Sequence, residues 1–334
     1  MSIPQPFKPP WWLRNRHVQT LTPVFQNLGP IIKRRRERVE LPDGDFLDLD
    51  WYGVPKQTAA LIIHGLGGSS HSHYVRSLQL ALGEQGVASA ALNLRGCSGE
   101  INRLAKSYHS GVTEDLDMLF AALPPAYRQL RWVAAGYSLG GNLLLKWLGE
   151  QGEQCPVAGA AAVSVPFDLS HAARVINHGL GRAYRAHLVS GLVTAFESKK
   201  AAMQALDPIE WDRMNALGSL RRVRTFHDFD AAVTAPLFGF SSAEDYYSQA
   251  SAIGYTDAIR RPTLVIQAAD DPLVPVAALP KPHQLSEQIT LAISQHGGHV
   301  GFLTSLRGGC RWLAEGVAQW LVHCANTADT CMPH

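Results

Sequence analysis

The sequence predicts an α/β fold in which a mostly parallel central sheet carries helices on both faces and is interrupted by an inserted helical cap. Three observations predict it. Short apolar runs alternate with helical stretches through most of the chain. One run, Ala59-Ala60-Leu61-Ile62-Ile63, is continuously apolar, as expected of a strand buried on both faces of a parallel sheet. The alternation stops between residues 166 and 261, where the chain is richer in charge and its apolar spacing is helical rather than strand-like.

The elements follow in order. Residues 1–35 are rich in proline and aromatics, Trp11 and Trp12 among them, and have no clear period; they predict an extended arm packed on the core. Residues 36–41 and 46–52 flank Pro42-Asp43-Gly44-Asp45, whose Asp-Gly pair predicts a hairpin turn. The basic run Lys33-Arg34-Arg35-Arg36, with Arg38 just after it, predicts a solvated lead-in to an edge strand rather than a nucleic-acid patch. Beyond the 59–63 strand, helical stretches near 71–85, 112–123 and 140–150 lead to strands at 87–92, 131–136 and 157–165. Strands at 263–268 and 288–294 are each expected to be followed by a helical stretch. Strand–helix–strand units of this kind are right-handed crossovers. The core therefore spans 36–165 and 262–325, the cap 166–261 and a tail 326–334.

Composition narrows the function. The chain has 334 residues, 46% hydrophobic and 17% charged, the mix of an ordered globular protein. A net charge of +2 is too small to argue for nucleic acid or an anionic membrane. Five cysteines (Cys97, Cys155, Cys310, Cys324 and Cys331) are scattered without a C-x-x-C pair, so neither a disulfide framework nor a zinc site is expected. The first ten residues lack the apolar stretch of a secretory signal. The most apolar windows, such as 157–167, fall short of the roughly 20 residues a spanning helix needs. Together these features predict a cytoplasmic protein with no transmembrane segment. Peripheral membrane contact through the Trp11-Trp12 arm is disfavoured, because the arm shows no amphipathic helical period.

The strongest chemical signal is Gly136-Tyr137-Ser138-Leu139-Gly140-Gly141, directly after one predicted strand and directly before a helix. G-x-S-x-G in that setting is a nucleophile elbow, the mark of the α/β-hydrolase fold. The turn is so tight that only small residues fit two places either side of the serine. A serine hydroxyl needs a base, and the base an orienting acid, which in this fold follow in the order serine, acid, histidine. Asp270 and Asp271 lie at one strand's carboxyl end, and His296-Gly297-Gly298-His299 follows the next strand. An oxyanion hole needs backbone N–H groups, expected from Leu139 and from Leu66 in the loop His64-Gly65-Leu66-Gly67-Gly68. That loop lacks the G-x-x-x-x-G-K-[ST] pattern of a phosphate cradle. His71 and His73, two residues apart, do not share a helix face and read as solvated histidines rather than metal ligands. Cys97 has no base motif beside it and reads as structural.

The chain also resembles a branch of the α/β-hydrolases, the YheT-like family, with its eukaryotic abhydrolase-domain proteins and yeast medium-chain acyl-ester synthase/esterases. The stretches that carry the resemblance are PPWWLRNRHVQTL (9–21), HGLGGSSHSHY (64–74), NLRGCSGEINRLAKSYHSGVTEDL (93–116), GYSLGGNLLLKWLGE (136–150), FHDFDAAVTAPLFGFSSAEDYY (226–247), AADDPLVP (268–275) and HGGHVGFL (296–303). GYSLGG is common to the superfamily, whereas NLRGCSGE and TAPLFGF are specific to this branch. Leu94 and Leu273 stand where the family often has phenylalanine, conservative changes that leave the catalytic motifs untouched. The resemblance implies a triad of Ser138, Asp271 and His299, with activity on acyl esters of short or medium chain and neither metal nor organic cofactor. Between the two aspartates, Pro272 fixes the backbone just after Asp271, and neighbours leaving a strand face opposite sides. Phe238 and Phe240 in the cap are candidate pocket residues. The expected function is thus a serine esterase acting on a small-molecule ester. An acyltransferase using the same triad, or a non-catalytic ligand-binding protein of the same fold, are its rivals.

Overall fold

The computed structural model describes residues 6–26, 28–306 and 310–327. Eight strands form one sheet in the order β1-β2-β4-β3-β5-β6-β7-β8. β1 (Arg35–Glu40) and β2 (Phe46–Tyr52) make the hairpin, closed by Gly44 at φ 87°, a backbone state that glycine adopts without strain. β2 runs antiparallel to β4, and β3 (Thr58–Ile63) to β8 are mutually parallel. The basic run is therefore more than a lead-in. Arg36 and Arg38 lie in β1 directly across from Asp50 and Asp48 of β2 and fork onto their carboxylates at 2.8–2.9 Å.

Crossover helices cover both faces. α2 (His73–Glu84) leads to β4 (Ala88–Asn93), and α3 (Glu114–Ala122) with the short α4 (Pro125–Arg128) leads to β5 (Arg131–Tyr137). α5 (Leu139–Gln151) leads to β6 (Val157–Val163). Period-two alternation divides the strands between two cores. Leu61 and Ile63 pack with α3 and α5, whereas Ala60 and Ile62 pack with α2 and the last helix. α5 is buried from Leu139 to Gly149, as a helix apolar all round must be.

Between β6 and β7 (Thr263–Ala268) every regular element is a helix: α6 (Leu169–Val175), α7 (Gly181–Leu206), α8 (Pro208–Asn215), α9 (Phe226–Phe229), α10 (Ala235–Phe238) and α11 (Ala243–Ala250), with shorter turns among them. This insertion has its own apolar cluster, including Val189, Phe196, Met203, Met214 and Phe229. It is tied to the core by Lys199, whose buried Nζ donates to Asn102 Oδ1 (2.7 Å), Lys106 O (2.9 Å) and Ser107 Oγ (3.0 Å).

Two expectations fail. The N-terminal arm is not extended: it holds a 3₁₀ turn (Trp11–Leu13) and α1 (Arg16–Phe25), capped by Asn15, whose side chain accepts from the His17 and Val18 amides. α1 has a buried face (Gln19, Thr20, Pro23) and an exposed one that includes Val18 and Phe25, so it is amphipathic. Between β7 and the next strand no α-helix forms. Pro272, Pro275, Pro280 and Pro282 lie there, each lacking an N–H and forcing its φ, and only short 3₁₀ turns result. β8 (Ile289–Ser294) is followed by α12 (Arg311–Thr327). The predicted tail, with Cys331, lies outside the described residues from 328 onward.

Candidate active site

Ser138 sits on the turn from β5 into α5 with φ 51° and ψ −118°, strained angles for a residue with a side chain. Its N–H donates to Val163 O (2.8 Å), and its carbonyl accepts from Gly141 and Asn142 (2.9 and 3.0 Å). The surroundings leave no spare volume. A Cβ on Gly140 would run into the His64 carbonyl oxygen and lie 2.6 Å from that of Ile63. α5 can thus lie directly on the end of β3 only with glycine there.

His299 reaches Ser138 from the loop after β8. Its Nε2 lies 2.9 Å from Ser138 Oγ, and its Nδ1 lies 2.9 Å from Asp271 Oδ2. Asp271 follows β7 with its carboxylate fully buried. Oδ1 accepts from the Leu273 and Val274 amides (2.8 and 3.0 Å), and Oδ2 also accepts from Gln267 Nε2 (3.2 Å). Every group that faces these two oxygens is a donor, so His299 presents its Nδ1–H to Asp271 and offers the Nε2 lone pair to Ser138. Asp270 points elsewhere: Oδ1 accepts from Gly298 N (2.9 Å), and Oδ2 lies 3.4 Å from His296 Nδ1. Of the two aspartates and two histidines singled out in the sequence, the structure brings Asp271 and His299 to Ser138 and uses Asp270 and His296 to brace the loop.

The loop after β3 lies against the serine, since a Cβ on Gly65 would be 3.2 Å from Ser138 Cβ. Its amides are almost all occupied. Gly65 N–H donates to Tyr74 Oη and Gly67 N–H to Tyr108 Oη (both 2.9 Å), while Gly68 N–H donates to Gly65 O (3.0 Å). Leu66 N–H has no hydrogen-bond partner among the described residues. Leu139 opens α5, where a helix's first amides have no carbonyl of their own turn to bond. His64 anchors the loop from below. It donates from Nδ1 to Gly65 O (2.8 Å) and accepts at Nε2 from Leu94 N (3.2 Å), and burial pushes it down to about 4, keeping it neutral.

Phe238 and Phe240 face His109 edge-on, with ring centroids 4.4 and 5.5 Å away. His109 is buried and pushed down to about 3 by that burial and by Lys146 and Lys106. Phe238 also packs on the apolar cluster that contains Leu139, as does Leu66. Two surface depressions, one beside α7 and the turn after α8 and one along β8, include none of these residues.

The reading of His71 and His73 as solvated is half wrong. His71 is exposed and bonded to Arg34, but His73 is buried edge-on against Tyr74 and pushed down to about 4 by burial, because it opens α2 on the core side. Cys97 is half-buried and its thiol is pushed up to about 12 by burial. Among the described residues no group of three or more His, Cys, Asp or Glu is placed to hold a metal ion. No described helix is long and apolar enough to cross a membrane. Tyr74 and Tyr108 were missed from sequence: both lie within family-like stretches, but no local pattern marks a tyrosine that closes a distant amide.

A mostly parallel sheet with a strained serine elbow after β5, an acid after β7 and a histidine after β8 defines the α/β-hydrolase class. The chain belongs to that family: the profile of the alpha/beta hydrolase fold matches residues 59–306. Within it the chain belongs with YheT, a candidate esterase of Escherichia coli (strain K12), at 37% identity over 92% of this chain and 90% of the relative. It is also 30% identical to a monoacylglycerol lipase of Saccharomyces cerevisiae, over 92% of this chain and 67% of that one. Mouse phospholipase ABHD3 is 28% identical over 91% and 75%. Among solved structures, an esterase of Pyrococcus furiosus superposes with a TM-score of 0.55 at 16% identity, covering 98% of this chain and 99% of the other, a likeness of fold.

Proposed function

We propose that the protein is a serine hydrolase that cleaves carboxylic esters of short or medium acyl chain through an acyl-enzyme on Ser138. The observation that carries this reading is the continuous relay from Ser138 Oγ to His299 to Asp271, with both contacts at 2.9 Å. Ser138 Oγ attacks the acyl carbonyl as its proton passes to His299 Nε2. Asp271 holds the proton on Nδ1 and offsets the charge of the imidazolium. The N–H groups of Leu66 and Leu139 meet the oxyanion; one such donor is worth about 10²–10³ in turnover. The alcohol leaves with the proton from His299. Water then gives its proton to the same nitrogen and attacks the acyl carbon. The bond to Ser138 Oγ breaks as His299 returns that proton to it, releasing the acid and restoring the serine. No step calls for a metal or cofactor.

Residues 166–261 act as the cap, with Phe238 and Phe240 beside the acyl chain; Phe238 shares an apolar cluster with both oxyanion residues, which supports the placement. Relatives named esterase, monoacylglycerol lipase and phospholipase support an ester substrate. Free thiols at Cys97, Cys155, Cys310 and Cys324 support a cytoplasmic setting. A fluorophosphonate probe should label the wild type and not Ser138→Ala, and chromogenic esters of graded acyl length should give turnover that peaks at short or medium chains. Equal labelling of both proteins would overturn the assignment of the nucleophile.

A further inference from the structure

The loop that delivers His299 is strained. Gly297, Gly298, Val300 and Phe302 all have positive φ (151°, 59°, 56° and 47°), and two of these four residues carry bulky side chains. Such backbone persists only where its surroundings hold it. Part of the hold comes from the core: Asp270 takes the Gly298 amide, and Ser164 Oγ takes the Val300 amide at 3.0 Å. The rest comes from the N-terminal arm. His299 N–H donates to Thr20 Oγ1 (2.9 Å), and that hydroxyl donates to Arg16 O (2.8 Å), which fixes its lone pairs toward the histidine. The neighbouring Gln19 grips Leu303 twice. Oε1 accepts from Leu303 N (2.6 Å) and Nε2 donates to Leu303 O (3.1 Å), with a second donation to Leu13 O (2.7 Å). The fit is close, since a Cβ on Gly298 would lie 2.6 Å from Arg16 O and 2.7 Å from Thr20 Oγ1.

A helix that served only to cover the core would bury apolar side chains. The buried face of α1 presents Gln19 and Thr20 beside Pro23, and their polar contacts are to backbone of the histidine loop and of the arm itself, with one further contact from the Thr20 hydroxyl to the Tyr184 side chain of α7. We infer that Thr20 and Gln19 are positioning residues that set the place of His299, so that the arm is part of the machinery of turnover. The inference rests on the serine-hydrolase reading above. Thr20 acts on the backbone of His299 rather than its ring. Its loss should displace Nε2 from Ser138 without altering substrate binding, and misplacement by about 1 Å can cost about 10²-fold in rate.

The test compares Thr20→Val, which keeps shape but loses the acceptor, with Thr20→Ser, which keeps the hydroxyl. kcat, KM and the rate of fluorophosphonate labelling are measured on a chromogenic ester, together with Tm. Expected is a fall in kcat and labelling rate of about 10–100-fold in Thr20→Val, an unchanged KM, and recovery to within about threefold in Thr20→Ser. Thr20→Ala removes the hydroxyl without placing a methyl against Arg16 O, and serves if the valine variant does not fold. Folded Val or Ala variants with wild-type kcat would overturn the inference, as would equal losses in Ser and Val. A wild type that neither turns over esters nor is labelled would sink the serine-hydrolase reading and this inference with it, a failure seen without any variant.

Discussion

Asp271→Asn exchanges one atom of the relay, and the structure says which way the amide must turn. Oδ1 faces two backbone N–H groups, Leu273 and Val274, so the amide oxygen stays there. The NH₂ group then falls where Oδ2 was, facing Gln267 Nε2 and His299 Nδ1. Confronted by a donor, His299 turns to the tautomer with a bare Nδ1 and a proton on Nε2, which can no longer accept from Ser138. In a serine triad that error costs about 10⁴ in turnover, equivalent to about 5.5 kcal/mol of transition-state stabilisation. Asp270→Asn keeps an acceptor for the Gly298 amide and loses only a long 3.4 Å contact to a partly exposed His296, worth under about 1 kcal/mol. It should therefore cost less than about tenfold. The assay is kcat/KM on a chromogenic ester, with Tm recorded to show that both variants fold. A larger loss in Asp270→Asn, or an Asp271→Asn enzyme within about tenfold of wild type, would refute the tautomer argument.

Gly140→Ala should lower stability by about 1–3 kcal/mol and slow turnover, because its methyl pushes α5 off the carbonyls of Ile63 and His64 and shifts the Leu66 loop. Wild-type Tm and kcat in that variant would show that the contact relaxes freely. Acid should destabilise the fold in a defined window. His64, His73 and His109 are lowered from 6.5 to about 4, 4 and 3 by burial, so as pH falls below about 6.5 the unfolded chain takes up protons that the folded chain refuses. The contribution of these histidines is thus fully present above that pH and is lost progressively down to about 3, with His64 alone contributing about 3 kcal/mol. Asp115 and Asp230, raised to about 6 by burial, offset part of the loss because the folded chain takes up their protons first. A Tm that stays flat from neutral pH to about 4.5 would contradict this.

The fold was legible because its signals are local. The alternating runs and the small residues around Ser138 each encode their own geometry, and the strand at 263–268 is found with the same bounds in the structure. Failures came where tertiary contact overrules pattern. α1 was hidden by prolines on either side of Asn15 and by a buried face made of Gln19 and Thr20, polar residues that register as exposed in any periodicity. The prolines from 272 to 282 were visible and should have vetoed a helix there. At the site, residue types and chain order narrowed the acid to Asp270 or Asp271 and the base to His296 or His299, and the family resemblance chose Asp271 and His299. Nothing short of the folded chain revealed that Tyr74 and Tyr108 occupy the amides on either side of Leu66.

The grip of α1 on the histidine loop joins residues 284 positions apart, Gln19 to Leu303, and the serine meets its base across 161. Closures of that span come late, because chain entropy opposes them until the intervening sheet has formed. A growing polypeptide will have completed its elbow well before residue 299 has been synthesised. Until then Ser138 is an ordinary alcohol on a tight turn. On the mechanism proposed above, competence therefore arrives late in folding, and partly made or partly unfolded molecules lack the relay.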